Sequence, residues 1–350
     1  MKIVIAEDSF KSCLSSAEAA CAVKAGVLDA YPEAEVVMIP VADGGEGTVE
    51  AIVSATEGGP LRAEIVSARV SDPLGREIEA RYGISGSTAI IEVAAACGLA
   101  LLKREERNPL ITTTRGVGEM IMDAIGRECR SFLIGLGGSA TNDGGRGMVE
   151  VEGILEAARG LSFTVACDVD TPFTGPQGAS RVFAPQKGAS PADVEVLEKR
   201  LQDYARTILK LTGVDVRDMK GAGAAGGLGG AFRAFFSASL RRGIDMVLDY
   251  VNFDSLIKGA DLVITGEGRS DFQTPKGKTP SGVLERAQRQ GIPTALLSGS
   301  VALCPELEAM GFCRIAAATP EGMPLSEALR KDVAEFNLRM AAQKIVNDLF

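Results

Sequence analysis

The sequence predicts an α/β protein with two domains, one a parallel, doubly wound sheet built from both ends of the chain and the other a mixed α/β domain inserted into it. Three observations predict this. Short apolar runs with the length and composition of strands buried on both faces recur at each end of the chain. Helical patterns separate them, as the crossovers of a parallel sheet require. The 350 residues, 46% of them apolar, are enough for two cores of ordinary size.

Residues 3–6 (IVIA) form the first expected strand, and Ser15 and Ser16 offer caps for an amphipathic helix running to about Leu28. A strand at 36–41 (VVMIPV) then leads into a helix from Gly47 to Ala55. From about residue 71 to 255 the grain changes: strands are expected at 88–94, 132–136 and 163–169, helices near 116–126 and 192–211, and a long glycine- and proline-rich loop at 171–191. The outer pattern returns with strands at 261–265, 293–298 and 313–318. A single helix, Leu325 to Leu349, closes the chain with apolar spacing near 3.6. The expected domains are therefore 1–70 with 256–350, and 71–255.

Composition removes several function classes. Lys and Arg number 37 against 46 Asp and Glu, a net charge of −9, and no basic block interleaves with aromatics, so neither nucleic acid nor an acidic membrane is an expected partner. The seven cysteines are scattered and never form CxxC, which reads as reduced core residues rather than disulfides or a zinc site. The opening apolar run is too short for a signal-peptide core and no stretch nears eighteen apolar residues, so a soluble, cytoplasmic protein is expected. Histidine is absent, which excludes Ser-His-Asp hydrolysis and HExxH zinc chemistry. A general base must then be a carboxylate or, less readily, a lysine of depressed pKa.

Ligands of open α/β sheets bind beyond the carboxyl ends of the strands. Asp8, Ser9 and Lys11 follow the first strand, Asp43 to Gly47 the second, Glu267, Arg269, Asp271 and Gln273 the run at 261–265, and Gly299 and Ser300 the run at 293–298. Four such loops on one sheet edge indicate an active site. A second feature is 134–148, IGLGGSATNDGGRGM, where six glycines let backbone N–H groups approach an anion and Ser139, Thr141, Asn142 and Asp143 add directed polar contacts. Phosphate is the expected ligand. Three familiar signatures fail on context. GKT at 277–279 lacks the Walker A glycine, with Phe272 in its place; GAGAAG at 221–226 follows a polar stretch rather than a strand, which favours close helix packing or a phosphate contact over a dinucleotide site; in GLGGSA at 135–140, Asn142 to Gly145 delay the helix that should follow at once.

The chain resembles the bacterial glycerate kinase family nearly end to end. The resemblance rests on IAEDSFKSCLSS at the start, VADGGEGTVEA at 41–51, TTTRGVGE at 112–119, GLGGSATNDGGRGM at 135–148, ACDVDTPFTGPQGASRVFAPQKGA at 166–189, GAGAAGG at 221–227 and ADLVITGEGRSDFQTPKGKTPSGV at 260–283. It implies a flavodoxin-like domain from both chain ends, an inserted domain, and an active site in a cleft between them that closes on ATP and D-glycerate, with hinges near 71 and 255. The implied reaction is Mg²⁺-assisted phosphoryl transfer, 2-phosphoglycerate being the favoured product. Such transfer needs positioning and charge stabilisation, which carboxylates, cations and glycine loops supply without histidine.

On this reading Asp8, Lys11, Asp43, Asp168, Lys187 and Glu267 form the catalytic set, with Asp43 the leading general base and Asp8 next. Gly137, Gly138, Ser139, Asn142 and Asp143 take the nucleotide phosphates with Lys11 or Lys187. Asp168 and Asp271 are the Mg²⁺ ligands, and Ser9, Arg115 and Arg269 grip the substrate. Three positions depart from the family: Glu7 stands where proline is usual, Lys276 where histidine is common, and the chain is shorter by a few tens of residues between Met148 and Ala166. A nicotinamide-dependent 2-hydroxy-acid dehydrogenase, resting on GAGAAG, and a non-catalytic sugar-acid-binding protein, resting on the departures, are the alternatives. A homodimer is compatible with the sequence.

Overall fold

The computed structural model describes residues 1–59 and 61–350. The chain divides into two compact units, one of Met1–Asp43, Glu50–Gly59 and Ile244–Phe350, the other of Gly44–Val49 and Pro60–Gly243.

The first unit holds a five-stranded sheet, parallel throughout, in the order Arg314–Ala317, Thr294–Ser298, Leu262–Gly266, Lys2–Glu7, Glu35–Met38. Ile3 to Glu7 are buried on both faces, which is why the opening of the chain reads as an unbroken apolar run. The chain builds outward to one side of Lys2–Glu7 and later to the other, so the switch point of the sheet lies between this strand and Leu262–Gly266, with Glu7 opposite Gly266. Helix Ser16–Ala30 starts with a capping box between Ser15 and Glu18. It packs on the terminal helix Lys331–Leu349, and Val23, Val27, Leu338, Ile345 and Val346 share a core with Ile3, Ile5, Leu262 and Ile264. Gly26 permits that approach: a Cβ there would lie 2.0 Å from the Arg339 carbonyl oxygen.

The second unit holds a six-stranded mixed sheet in the order Glu64–Ser71, Glu77–Ser85, Thr88–Glu92, Ser131–Gly135, Ser162–Ala166, Ser239–Arg241. The first three strands are antiparallel neighbours and the rest run parallel. Tyr82, Phe132, Phe163 and Phe232 fill its core, the rings of Phe132 and Phe163 stacked at 4.5 Å.

Several expectations need correction. The final helix is two, Leu325–Ala328 and Lys331–Leu349, because Arg330 is extended (φ −71°, ψ 131°); the apolar spacing carries across the break because residues of both helices line one cavity wall. The strand expected at 36–41 ends at Met38, before Pro40, although Ile39 and Val41 still donate to the carbonyls of Ile5 and Glu7. The strands expected to reach 94 and 169 stop at Glu92 and Ala166. The antiparallel pair Glu64–Ser71 and Glu77–Ser85 was not anticipated, since its alternation of polar and apolar residues differs from the continuous runs of a parallel sheet. The cysteines are all free, but Cys21 and Cys313 are exposed, and only Cys97 and Cys129 are buried. Among the described residues no helix is long and apolar enough to cross a membrane.

Candidate active site

At the carboxyl edge of the first unit's sheet, the strand-end loops surround a cavity of about 570 Å³. Asp8, Ser9 and Lys11 reach it from Lys2–Glu7, Asp43 from beyond Glu35–Met38, Glu267 and Arg269 from Leu262–Gly266, and Gly299 and Ser300 from Thr294–Ser298. The Asp8 carboxylate accepts the Ser9 N–H at 2.6 Å and the Thr279 hydroxyl, both of which favour ionisation. Burial opposes them, reinforced by the negative charges of Asp43 and Glu267, and pushes the Asp8 carboxyl up to about 7. Thr279 opens helix Thr279–Arg289, and the turn before it, with Gly277 at φ +102°, brings Lys278 to the cavity.

Glu267 is held from both sides. One carboxylate oxygen accepts the hydroxyls of Ser270 (3.1 Å) and Thr274 (2.7 Å), and the other accepts Lys278 Nζ at 3.1 Å. Below it Glu7 is fully buried, and neither of its carboxyl oxygens has a hydrogen-bond partner among the described residues. Burial, then the charges of Asp8 and Glu267, hold its carboxyl well above the ordinary range. The group fits because Gly266 lacks a side chain: a Cβ there would lie 2.6 Å from Glu7 Oε2.

The glycine loop 135–147 belongs to the second unit, after strand Ser131–Gly135. Gly138, Gly144 and Gly145 have positive φ, and helix Arg146–Val149 begins only after Gly145. Lys187 is buried beneath the loop, its Nζ donating to Thr141 O (2.7 Å) and Ser139 Oγ (3.1 Å); burial lowers its pKa to about 8, while Cys97 and Asp143 act to raise it. Asp143 accepts the Thr114 N–H and hydroxyl and the N–H groups of Gly145 and Gly147, so its carboxylate ties the loop to the 112–115 turn. Asn142 donates to Ser180 Oγ, while its Oδ1 is buried without a partner among the described residues.

The remaining sequence-derived residues are more dispersed. Asp168, exposed in the second unit, accepts the Gly243 N–H at 3.0 Å. Asp271 lies in the first unit, where it accepts the Gln273 N–H and sits 3.5 Å from Arg269 Nε. Arg115 is half exposed and bonded to Glu119 one turn along its helix. Gly137 and Gly138 line the loop's close approaches: a Cβ on Gly137 would lie 2.9 Å from Gly45 Cα. Lys276 stacks its ammonium 4.9 Å from the Phe272 ring centroid. GAGAAGG at 221–227 contains a kink with Ala225, Gly226 and Gly227 at positive φ, and it packs against the glycine loop: a Cβ on Gly226 would lie 2.0 Å from Thr141 O. It follows a turn, not a strand, so the dinucleotide geometry is missing. Sequence reasoning passed over Lys278 and Thr279. Both stand in the GKT that fails as a Walker A loop, yet it places a cation and a hydroxyl on Glu267 and Asp8.

A carboxylate and cation set at the switch point of a parallel sheet is the arrangement of an α/β enzyme acting on small anionic ligands. The glycerate kinase family model matches residues 3–155 and 149–349. Among curated relatives, glycerate kinase of Bacillus subtilis strain 168 is 42% identical, covering 97% of this chain and 96% of its own length. Glycerate 2-kinase of Escherichia coli K12 is 44% identical, covering 86% of this chain and 86% of its own length. The crystal structure of a protein assigned as glycerate kinase 2 from Salmonella typhimurium LT2 aligns with TM-score 0.86 and 41% identity over 100% of this chain and 98% of that chain. The chain belongs to the glycerate kinase family and is an enzyme of the kinase class.

Proposed function

We propose that the protein transfers the terminal phosphoryl group of ATP to a hydroxyl of D-glycerate, forming 2-phosphoglycerate, with the reacting hydroxyl at the acidic cavity of the first unit. The observation that carries this is the grouping of Asp8, Asp43 and Glu267 with Lys11 and Lys278 around one cavity, in a chain of this family. A carboxylate pushed up to about 7 by burial and by the charge of Asp43 titrates near neutrality, where a group can accept a proton and later release it. Asp8 therefore takes the proton of the attacking hydroxyl in place of Asp43, whose charge raises it. Thr279 and the Ser9 N–H fix its orientation. Lys11, exposed on the cavity wall, stabilises the phosphoryl oxygens, and Arg269 grips the glycerate carboxylate.

Mg²⁺ bound with the nucleotide would neutralise phosphate charge as it develops. The donors present in the first unit fit a cation held by one or two carboxylates and by phosphate: Asp43 lines the cavity, with Asp271 as a further oxygen donor of that unit, and no three acidic, histidine or cysteine side chains form a ready-made cage among the described residues. In the second unit, the loop 137–143 backed by Lys187 offers a phosphate-binding surface. Phosphorus NMR of the product formed from ATP, D-glycerate and Mg²⁺ tests the reading. A 2-phosphoglycerate resonance is expected; ADP release no faster than without glycerate would end it, and a 3-phosphoglycerate resonance would correct the acceptor hydroxyl.

A further inference from the structure

The cavity of the first unit is larger than its acidic end requires. At about 570 Å³ it falls within the range of about 300–1,000 Å³ that encloses drug-sized ligands, several times what a three-carbon acid fills. Its lining changes character along the sheet. Asp8, Glu267, Lys11 and Lys278 line it at the switch point, whereas beyond Arg314–Ala317, two strand spacings or about 10 Å away, the wall becomes Met323, Leu325, Ala328, Leu329 and Leu338. Leu325 and Leu329 are 73% and 43% exposed and stand together with Met323, Ala328 and Leu338 on one cavity wall, a contiguous apolar surface open to a ligand. Asn337 is the one carboxamide on that wall among the described residues. It is 7% exposed, and its Nδ2 donates only to Met323 Sδ at 3.5 Å, a weak acceptor that a better one would replace.

We infer that this apolar end is the site of the nucleotide's adenine base. The polarity of the cavity matches the polarity of the ligand: apolar side chains for the faces of a flat heterocycle, a carboxamide offering both donor and acceptor to its polar edge, and cations toward the switch point for the phosphates. An acyl chain would satisfy the leucines but leave Asn337 and the cations unused. The inference rests on the reading of ATP as phosphoryl donor and names where in the first unit that donor is recognised.

The test uses the full chain with two variants, Ala328→Trp, on a short, partly exposed helix, and Asn337→Leu. Ala328→Trp fills the apolar end and is expected to raise the KM for ATP at least about tenfold while the KM for glycerate stays within about twofold. Asn337→Leu is expected to narrow the preference for ATP over GTP; should it fail to fold, Ala328→Trp decides alone. Binding of the fluorescent probe N-methylanthraniloyl-ADP without glycerate is expected for the wild type and about tenfold weaker for Ala328→Trp. An unmoved ATP KM, a raised glycerate KM alone, or a wild type that does not bind the probe would overturn the base site. A wild type that binds the probe and loses it on Ala328→Trp, yet phosphorylates no glycerate, would leave the base site standing and overturn the assignment of the acceptor.

Discussion

Asp8 and Glu7 are adjacent acids with opposite uses for a proton. If Asp8 is the base, kcat/KM for glycerate rises with pH through about 7 and levels off as the carboxyl ionises, and Asp8→Asn removes at least about a hundredfold of kcat; an unchanged profile in Asp8→Asn would return the role to Asp43. Stability runs the other way. Both carboxyls have folded-state pKa values raised above the unfolded range near 4, so the stabilisation from keeping their protons is complete below that value and is lost as pH rises through the folded one. The melting temperature is therefore expected to fall between pH 5 and 8, and Glu7→Gln, neutral at every pH, to flatten that fall and raise Tm at pH 8. A steeper fall would mean that Glu7 is ionised and paired. The strand-end carboxylates were legible in the sequence because acids after buried apolar runs have few structural reasons to be there. The partners of Asp8 were not: Thr279 is 271 positions away, and only the fold makes them neighbours.

The glycine loop is an element built by contacts from three sides. Gly147 sits beside the Thr113 hydroxyl, Gly145 against Ala231, and Gly226 against the backbone of Thr141. Gly226→Ala combines a Cβ clash with a positive φ and is expected to cost about 2–4 kcal/mol, read as a drop in Tm, with activity falling further than stability explains. Lys187→Met leaves Thr141 O and Ser139 Oγ without their donor and removes the cation under the loop, and should weaken ATP about tenfold or more; an unaltered ATP KM would make the lysine structural alone. The loop was legible as a ligand element from its glycines. Asp143 shows the limit of such reading. A carboxylate in a glycine loop suggests a metal or phosphate site, but four donors occupy this one, two from the loop's own Gly145 and Gly147 and two from Thr114 in the 112–115 turn, which the loop's residues do not disclose.

Across the whole molecule, the parallel sheet from both chain ends was legible because its three inner strands, Lys2–Glu7, Leu262–Gly266 and Thr294–Ser298, are buried on both faces and read as uninterrupted apolar runs. The antiparallel strands 64–85 and helix Thr279–Arg289 were hidden, the first by alternation and the second by a proline and glycine at its start. The first unit depends on its last helix: Val23 and Val27 pack on Leu338, Ile345 and Val346, Arg339 holds Asp29 through two hydrogen bonds, and Lys331 pairs with Glu18. A chain ending at Arg330 should therefore lose the cooperative unfolding transition of that unit, measured in urea. An unaltered transition would mean that Ser16–Ala30 alone covers the sheet. This dependence has a consequence during synthesis. Strand Lys2–Glu7 is made long before its partner Leu262–Gly266 and before helix Lys331–Leu349, which shares its core. At about 5–20 residues per second the nascent chain carries one edge of that apolar strand uncovered, with only Glu35–Met38 paired on the other, for roughly 15–60 s, while residues 61–243 are already complete. The translating cell must shelter the open edge of Lys2–Glu7 for that interval, so chaperone occupancy on the growing polypeptide should peak there and not at the glycine loop.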